Sequence, residues 1–484
     1  MAKAVRARHR RPSPLSAVTP AQELCIELDD HSSHSTSALE FFAARDPAQA
    51  SRLSELFIKQ NQSVLNLLGV SVSRDFDGRD VRLRLTSGSN VGAVPLLSPI
   101  SAKPDLGLIV RPRFPWAGIG PMLAEMGWLI TPSPLRLPLL RRSERRVPPW
   151  VLSVMVLARL RALLDRLERR FEMTSQHLNA PKGRVDWSSY ATRSLPTGQW
   201  LSVPCTFPDL RDDRLLKGAI RFTLEKQLRS LETQRENGAF IHRLIIVAES
   251  LILRVCDAAP RSPSPLEFDS WMRRPLRSEA YTDGLQAIDW TIQERGLAGL
   301  SDLEGIPWTM PMEAFFEAWV ETILRHLAPR TGGILRAARK RETTRPIHWE
   351  PACLGSQKAL APDHILDYPR FTLIVDAKYK RHFEELQETR WSRLDDQLRE
   401  HHREDLLQVL AYANLSDSPL VVCCLAYPCN RDRWQSLHQR GRLFHQAELT
   451  SGSRRILVWL TAVPMHAAVE EVTQPFTEKI KTFL

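Results

Sequence analysis

The sequence predicts a mixed α/β protein of the α+β kind, ending in a mixed sheet flanked by helices. Three observations lead there. The last third alternates apolar, strand-like runs such as Phe371–Val375 and Val421–Leu425 with strongly periodic helices such as 311–328. The first third carries short runs of period two, among them Val81-Arg82-Leu83-Arg84-Leu85. The region between them is dominated by helical periodicity.

The chain has 484 residues, enough for two or three domains, which we place at 1–38 (a basic arm), 39–137, 138–300 and 301–484. A hydrophobic content of 43% and a charged content of 25% are ordinary for a globular chain. The formal net charge of +11 favours a polyanionic partner, nucleic acid first. No apolar run reaches the roughly 18 residues of a membrane span, and the Arg-rich start lacks an apolar signal core. Seven cysteines without framework spacing suit a reducing compartment, so a cytoplasmic location without membrane attachment is expected. Cys423, Cys424 and Cys429 do not match a common iron–sulfur pattern, and two of them lie in an apolar run, so they read as core thiols.

In chain order, residues 1–38 are poor in apolar content and read as a disordered basic arm around Arg6, Arg8, Arg10 and Arg11. The periodicity predicts one helix over 39–68, then strands at 81–85, 94–97 and 106–113, the last carrying Arg111 and Arg113 on one face. These two arginines suit either phosphate contact or plain surface charge. This β-rich first domain is read as the one that meets a partner. The pair Pro148-Pro149 opens a helix predicted to run to about Met173. A turn and strand at 181–187, a partner strand at 200–207, and helices at 214–231, 237–258 and 278–295 complete the middle. No Gly-rich phosphate loop is present, so nucleotide hydrolysis is not expected of this chain.

The chemistry concentrates in Pro362–Lys380, PDHILDYPRFTLIVDAKYK. Tyr368-Pro369-Arg370 separates a short strand, His364–Asp367, from a longer one, Phe371–Tyr379. A turn centred between Pro369 and Arg370 places Asp363 opposite Asp376, with Lys378 on the same face as Asp376 because strand side chains alternate. Two carboxylates that close repel unless a cation lies between them, and carboxylate oxygens suit Mg²⁺ or Mn²⁺. Lys378 beside them would orient or deprotonate a water, or stabilise a developing phosphorane charge. Asp376 ends an apolar run, where an unpaired acid is costly.

Two helices flank this hairpin. The helix at 311–328 has an apolar stripe from Phe315 to Leu327, with Glu317 on its edge and Glu313 and Glu321 a turn to either side. Any of the three acids is a candidate third ligand or a salt-bridge partner. After a charge-dense stretch at 381–403, a helix from Asp405 places Asp405, Gln408 and Tyr412 on one face, able to bond the lysine or a DNA phosphate.

The order is then helix with Glu, strand with Asp, strand with Asp-x-Lys, helix with Gln-x-x-x-Tyr, strand. It resembles the PD-(D/E)xK nuclease superfamily, and more closely McrC, the nuclease subunit of McrBC-type 5-methylcytosine restriction systems. Phe316-Glu317, Pro362-Asp363, Asp376-Ala377-Lys378-Tyr379-Lys380 and Asp405-Leu406-Leu407-Gln408 with Tyr412 carry the resemblance. Weaker family-like signals lie at 109–113, 182–185 and 205–217. The resemblance implies a restriction-endonuclease-like C-terminal domain and a Mg²⁺-dependent endonuclease, with Mn²⁺ able to substitute, acting on modified DNA for antiviral defence. It implies Asp363, Asp376 and Glu317 as metal ligands, Lys378 assisting the attacking water, and Gln408 and Tyr412 supporting the site. It implies a separate AAA+ GTPase of the McrB type as partner. Two other readings stand beside it: a stand-alone RecB-like exonuclease, because Gln-x-x-x-Tyr also occurs there, and a DNA-binding scaffold with an inactive site.

Overall fold

The computed structural model describes residues 25–77, 80–138, 148–167, 170–211, 213–273, 278–297, 305–380, 396–451 and 454–484. The α+β layout and the mixed C-terminal sheet expected from the sequence are present. The arginines at 6–11, the Arg-rich linker 141–146 and most of the charge-dense stretch after Lys380 lie outside the described residues.

The end of the expected basic arm is ordered instead. Cys25–Asp29 forms a strand parallel to Leu106–Arg111, and Ser33–Ser37 pairs with Asp80–Ser87. The pairing uses side chains that look unremarkable in sequence: Ile26 and Leu28 alternate into the core while Cys25 and Asp29 face out. The single helix expected over 39–68 is two, Ala38–Phe41 and Pro47–Leu67. The second starts where Asp46 caps it by accepting from the Gln49 N–H at 2.8 Å, with Pro47 in its first turn. The long middle helix begins at Trp150 but stops at Asp165. Met173, the expected end, lies in the strand Arg170–Leu178. That strand pairs antiparallel with Val203–Arg211, which also pairs with Arg184–Val185. Asp213 caps the next helix by accepting from Leu216 N–H at 3.0 Å.

Trp308–Pro311 pairs antiparallel with Asn90–Leu96, in the sheet that also holds Leu106–Arg111 and Cys25–Asp29. The boundary expected at 300 therefore leaves one strand of the N-terminal sheet on its far side, and the chain enters the C-terminal unit at Met312. The cause is long-range: Trp308 and Met310 are buried with Val91 and Ala93, a pairing across more than two hundred residues that local patterning does not carry.

In the C-terminal unit, helix α1 (Met312–Thr331) precedes β1 (Ile334–Ala337), β2 (His364–Asp367) and β3 (Phe371–Ala377). Helix α2 (Asp396–Ala413), β4 (Leu420–Cys429), β5 (Phe444–Ser451), β6 (Arg454–Pro464) and α3 (Val469–Lys481) follow. The sheet order is β1-β2-β3-β4-β6-β5, with β3, β4 and β6 mutually parallel. Both faces are covered, which explains why the central strands are nearly continuous apolar runs. Leu373, Val375, Cys424 and Trp459 face the core that includes α1 and α3. Ile374, Cys423, Leu425 and Val458 face the core that includes Val409 and Tyr412 of α2. Cys423, Cys424 and Cys429 are buried, and burial pushes Cys423 up to about 12, so it is a core thiol and not a thiolate ligand. Among the described residues no helix is long and apolar enough to cross a membrane.

Candidate active site

The β2–β3 register pairs His364 with Val375 and Asp367 with Thr372, the alignment that a turn centred at Pro369–Arg370 requires. One step beyond the last pair, Asp363 accepts a hydrogen bond at 2.8 Å through Oδ2 from the Ala377 N–H. The Asp363 carbonyl in turn accepts from Ala338 N–H at 2.8 Å, which ties it to the end of β1. Asp376 is the penultimate residue of β3, with only 1% of its surface exposed. Burial, together with the Asp376 charge, lifts the Asp363 carboxyl well above the ordinary carboxylate range. Two carboxyls in this contact do not both ionise without a cation between them.

Lys378 Nζ stands 2.8 Å from Asp376 Oδ2 and donates to Gln408 Oε1 at 2.8 Å. Gln408 Nε2 donates to the Tyr412 hydroxyl at 2.8 Å. Burial alone would lower the Lys378 ammonium, but the carboxylates of Asp376, Asp405 and Asp363 outweigh it and raise it above its ordinary value. Lys378 is therefore a fixed positive charge in this arrangement. A neighbouring strap was not assigned from sequence: Lys380 Nζ meets Asp405 Oδ1 at 2.6 Å, and the Tyr427 hydroxyl donates to Asp405 Oδ2 at 3.2 Å. The pairing of Lys380 with Asp405 fixes α2 against the strand carrying the lysine, so that Gln408 reaches Nζ.

The three helical acids are separated by their surroundings. Glu313 is exposed. Glu321 is buried and neutralised by Arg325 at 2.6 Å and Arg339 at 3.4 Å. Glu317 is half-buried; burial raises its carboxyl, Arg339 opposes this, and Glu321 and Asp376 add to it. Glu317 thus belongs to the same electrostatic cluster as the aspartates. Among the described residues, however, no three acidic, imidazole or thiol side chains converge into a ready metal cage. Asp363 and Asp376 form a close carboxyl pair, and Glu317 stands beside it under the opposing influences of Arg339 and of Glu321 and Asp376. His364, missed in the sequence, lies fully buried behind Asp363, and burial brings it down to about 3, so it is a neutral core group.

The donor set fits a hard divalent cation. Asp376 Oδ2 is buried and accepts no hydrogen bond of good geometry despite its contact with Lys378, and it faces a second carboxyl. Oxygen ligands without thiol or imidazole suit Mg²⁺ or Mn²⁺.

Tyr379, next to the lysine, reaches the N-terminal sheet. Its hydroxyl donates to Asp30 Oδ2 at 2.5 Å, and Arg113 lies 4.5 Å from its ring centroid. Arg113 also donates its backbone N–H to Asp30 Oδ1 at 2.9 Å. Arg113 is thus buried in a joint, while Arg111 pairs with Glu27 and Asp29, so the described structure uses both arginines internally. No sequence signal links Asp30 to Tyr379, because they are joined only by folding.

Residues 133–428 match the family model described as the McrBC 5-methylcytosine restriction system component, more than half of the chain. The chain belongs to this McrBC family. The matched span includes α1, the β2–β3 hairpin, α2 and most of β4. Two solved structures are similar. One is a half-complex of Thermococcus gammatolerans McrB AAA+ hexamers with bound McrC, at 13% identity and a TM-score of 0.42, covering 95% of this chain and 100% of that one. The other is a T. gammatolerans McrBC complex, at 14% identity and a TM-score of 0.26, covering 65% and 90%. No curated protein matches the sequence.

Proposed function

We propose that this McrBC family member is the DNA-cutting subunit of a modification-dependent restriction complex, a Mg²⁺-dependent endonuclease driven by an AAA+ GTPase partner. The observation that carries the reading is the buried Asp363–Asp376 carboxyl pair at the strand ends, with Lys378 fixed beside it by Gln408 and Tyr412. Family membership supports the restriction setting.

Asp363 and Asp376 would hold the cation. Bound there, Mg²⁺ would supply Lewis acidity toward a phosphoryl oxygen and a more acidic water. The chain's own contribution is positional and electrostatic. The Ala377 N–H fixes one Asp363 oxygen and so holds the carboxyl beside Asp376. The Lys378 ammonium presents positive charge where negative charge develops on the phosphate, a role its raised affinity for the proton favours over general-base work. Gln408, held by Tyr412, keeps that ammonium from swinging away. Glu317 adds negative potential behind the pair and favours cation binding.

The test separates metal binding from cutting. Calorimetric titration of Mn²⁺ into the purified chain should give binding that disappears in Asp376→Ala. Cleavage of methylated DNA, with the GTPase partner supplied, should fall about 10²- to 10³-fold in Lys378→Ala, the scale of losing one charge-stabilising donor. Unchanged cutting by folded Lys378→Ala would sink the proposal.

A further inference from the structure

Between β1 and β2 the chain leaves the sheet at its carboxylate end, runs through residues 338–361, and returns directly into Asp363. The excursion is a hairpin: Arg345–Pro346 pairs antiparallel with Ala359–Leu360, and Ile347 N–H donates to the Lys358 carbonyl at 2.8 Å. Its root is pinned at the site, through Ala338 N–H on the Asp363 carbonyl at 2.8 Å and the Ala337 N–H on Glu342 at 3.1 Å. The segment carries five basic side chains and two acidic ones, Glu342 and Glu350. Lys340, Arg341, Arg345 and Lys358 are exposed, and none has an acidic partner among the described residues.

That sets them apart from the cations nearest the carboxylate pair and on the neighbouring strand β1. Arg325 and Arg339 are paired to Glu321, Arg336 to Asp367 at 2.7 Å, Lys378 to Asp376, and Lys380 to Asp405. A paired cation offers little field to a partner. Four unneutralised ones on a single excursion, two at its root turn and two on its paired strands or beside them, rooted beside the carboxylate pair, offer a local polyanion site.

We propose that this hairpin is a phosphate-contacting arm for duplex DNA, which holds the backbone flanking the scissile phosphate with Lys340, Arg341, Arg345 and Lys358. The inference rests on the nuclease reading for its choice of polyanion: a substrate phosphate at Asp363 and Asp376 carries its flanking duplex past the end of the sheet from which the arm rises. Contacts of this kind position DNA without reading its sequence, so the arm supplies register and not modification specificity.

The test is binding without cutting. A fluorescein-labelled duplex is titrated with the full chain in EDTA over a series of KCl concentrations. Each phosphate contact contributes about 0.9 to the slope of log affinity against log salt. The quadruple change Lys340→Gln, Arg341→Gln, Arg345→Gln, Lys358→Gln should flatten that slope by about 3–4 units. A control removing four exposed cations elsewhere (Arg52→Gln, Lys59→Gln, Arg161→Gln, Arg166→Gln) should flatten it far less. A native slope and affinity in the arm variant, an equal loss in the control, or no duplex binding by the native chain at about 50 mM salt would each overturn the proposal. Mn²⁺ calorimetry on the same preparations reports on the nuclease reading independently. Native-like Mn²⁺ binding with an unchanged DNA slope sinks the arm alone, and absent Mn²⁺ binding with a flattened slope sinks the nuclease reading alone.

Discussion

Asp363 shows how one side chain carries both a cost and a function. Its carboxyl is raised by burial and by Asp376, so without metal the folded chain holds a proton there that the unfolded chain releases near the ordinary carboxylate value. Stability from this group is therefore intact in acid and declines as pH rises from the unfolded value toward the folded one. Asp363→Asn, which keeps the acceptor for the Ala377 N–H, should raise the melting temperature in EDTA at neutral pH. The gain should vanish toward pH values at which the unfolded aspartate is itself protonated. A gain of equal size throughout that range would contradict the coupling with Asp376. The same variant should lose Mn²⁺ binding, so stability and function move in opposite directions at one residue. Gln408 acts on a smaller scale: Gln408→Ala removes the tether on Lys378 and should lower cleavage by about 10- to 100-fold with Mn²⁺ binding intact. Equal losses in both readouts would instead mean a general collapse of the site.

At the scale of elements, β3 and α2 explain why the site is rigid. Leu373 and Ile374 point to opposite, fully covered faces of the sheet, so the strand that carries Asp376 is clamped from both sides. Leu373→Ala should cost about 2–5 kcal/mol in denaturant unfolding, through lost burial and a residual cavity. A cost near zero would mean that this strand is not clamped. Helix α2 is held by charge as well as by packing: Asp405 binds Lys380 and Tyr427 at once. Asp405→Ala should destabilise by about 2–4 kcal/mol, since it removes the carboxylate that Lys380 and Tyr427 both contact. It should also lower cleavage more than Leu406→Ala does, because the register of Gln408 depends on it. The reverse order would assign the helix's placement to packing alone.

At the scale of the molecule, the N-terminal sheet and the C-terminal sheet meet at Tyr379. Phe114, Phe316 and Arg113 pack on its ring, and Asp30 takes its hydroxyl. The strand Trp308–Pro311 belongs to the N-terminal sheet and runs straight into α1, which bears Glu317. The N-terminal half is thus joined to the site twice, through α1 and through the residue after Lys378. Asp30→Ala leaves Arg113 without its carboxylate and should cost about 3–5 kcal/mol. Tyr379→Phe removes one hydrogen bond to a charged group and should cost about 1.5–3 kcal/mol. If either variant melted like the native chain, the joint would carry no stability and the two sheets would behave as separate bodies.

The sequence by itself determined the strands, the turn and the placement of chemistry along them. The β2–β3 register followed from Pro369 and the alternation of apolar residues, and that register brings Asp363, Asp376 and Lys378 to one end of the sheet. Helical spacing placed Gln408 and Tyr412 one turn apart on a shared face. All of these are local relations, set by periods of two and 3.6 residues. Only the tertiary structure decided the rest. It gave Glu313, Glu317 and Glu321 different surroundings, because Arg339 and the aspartates approach from other elements. It ordered Cys25–Ser37 within two sheets, moved Trp308–Pro311 into the N-terminal sheet, and turned Arg113 inward to Asp30 and Tyr379. These outcomes join residues far apart in the chain, and burial and charge pairing at such separations leave no periodic trace along it.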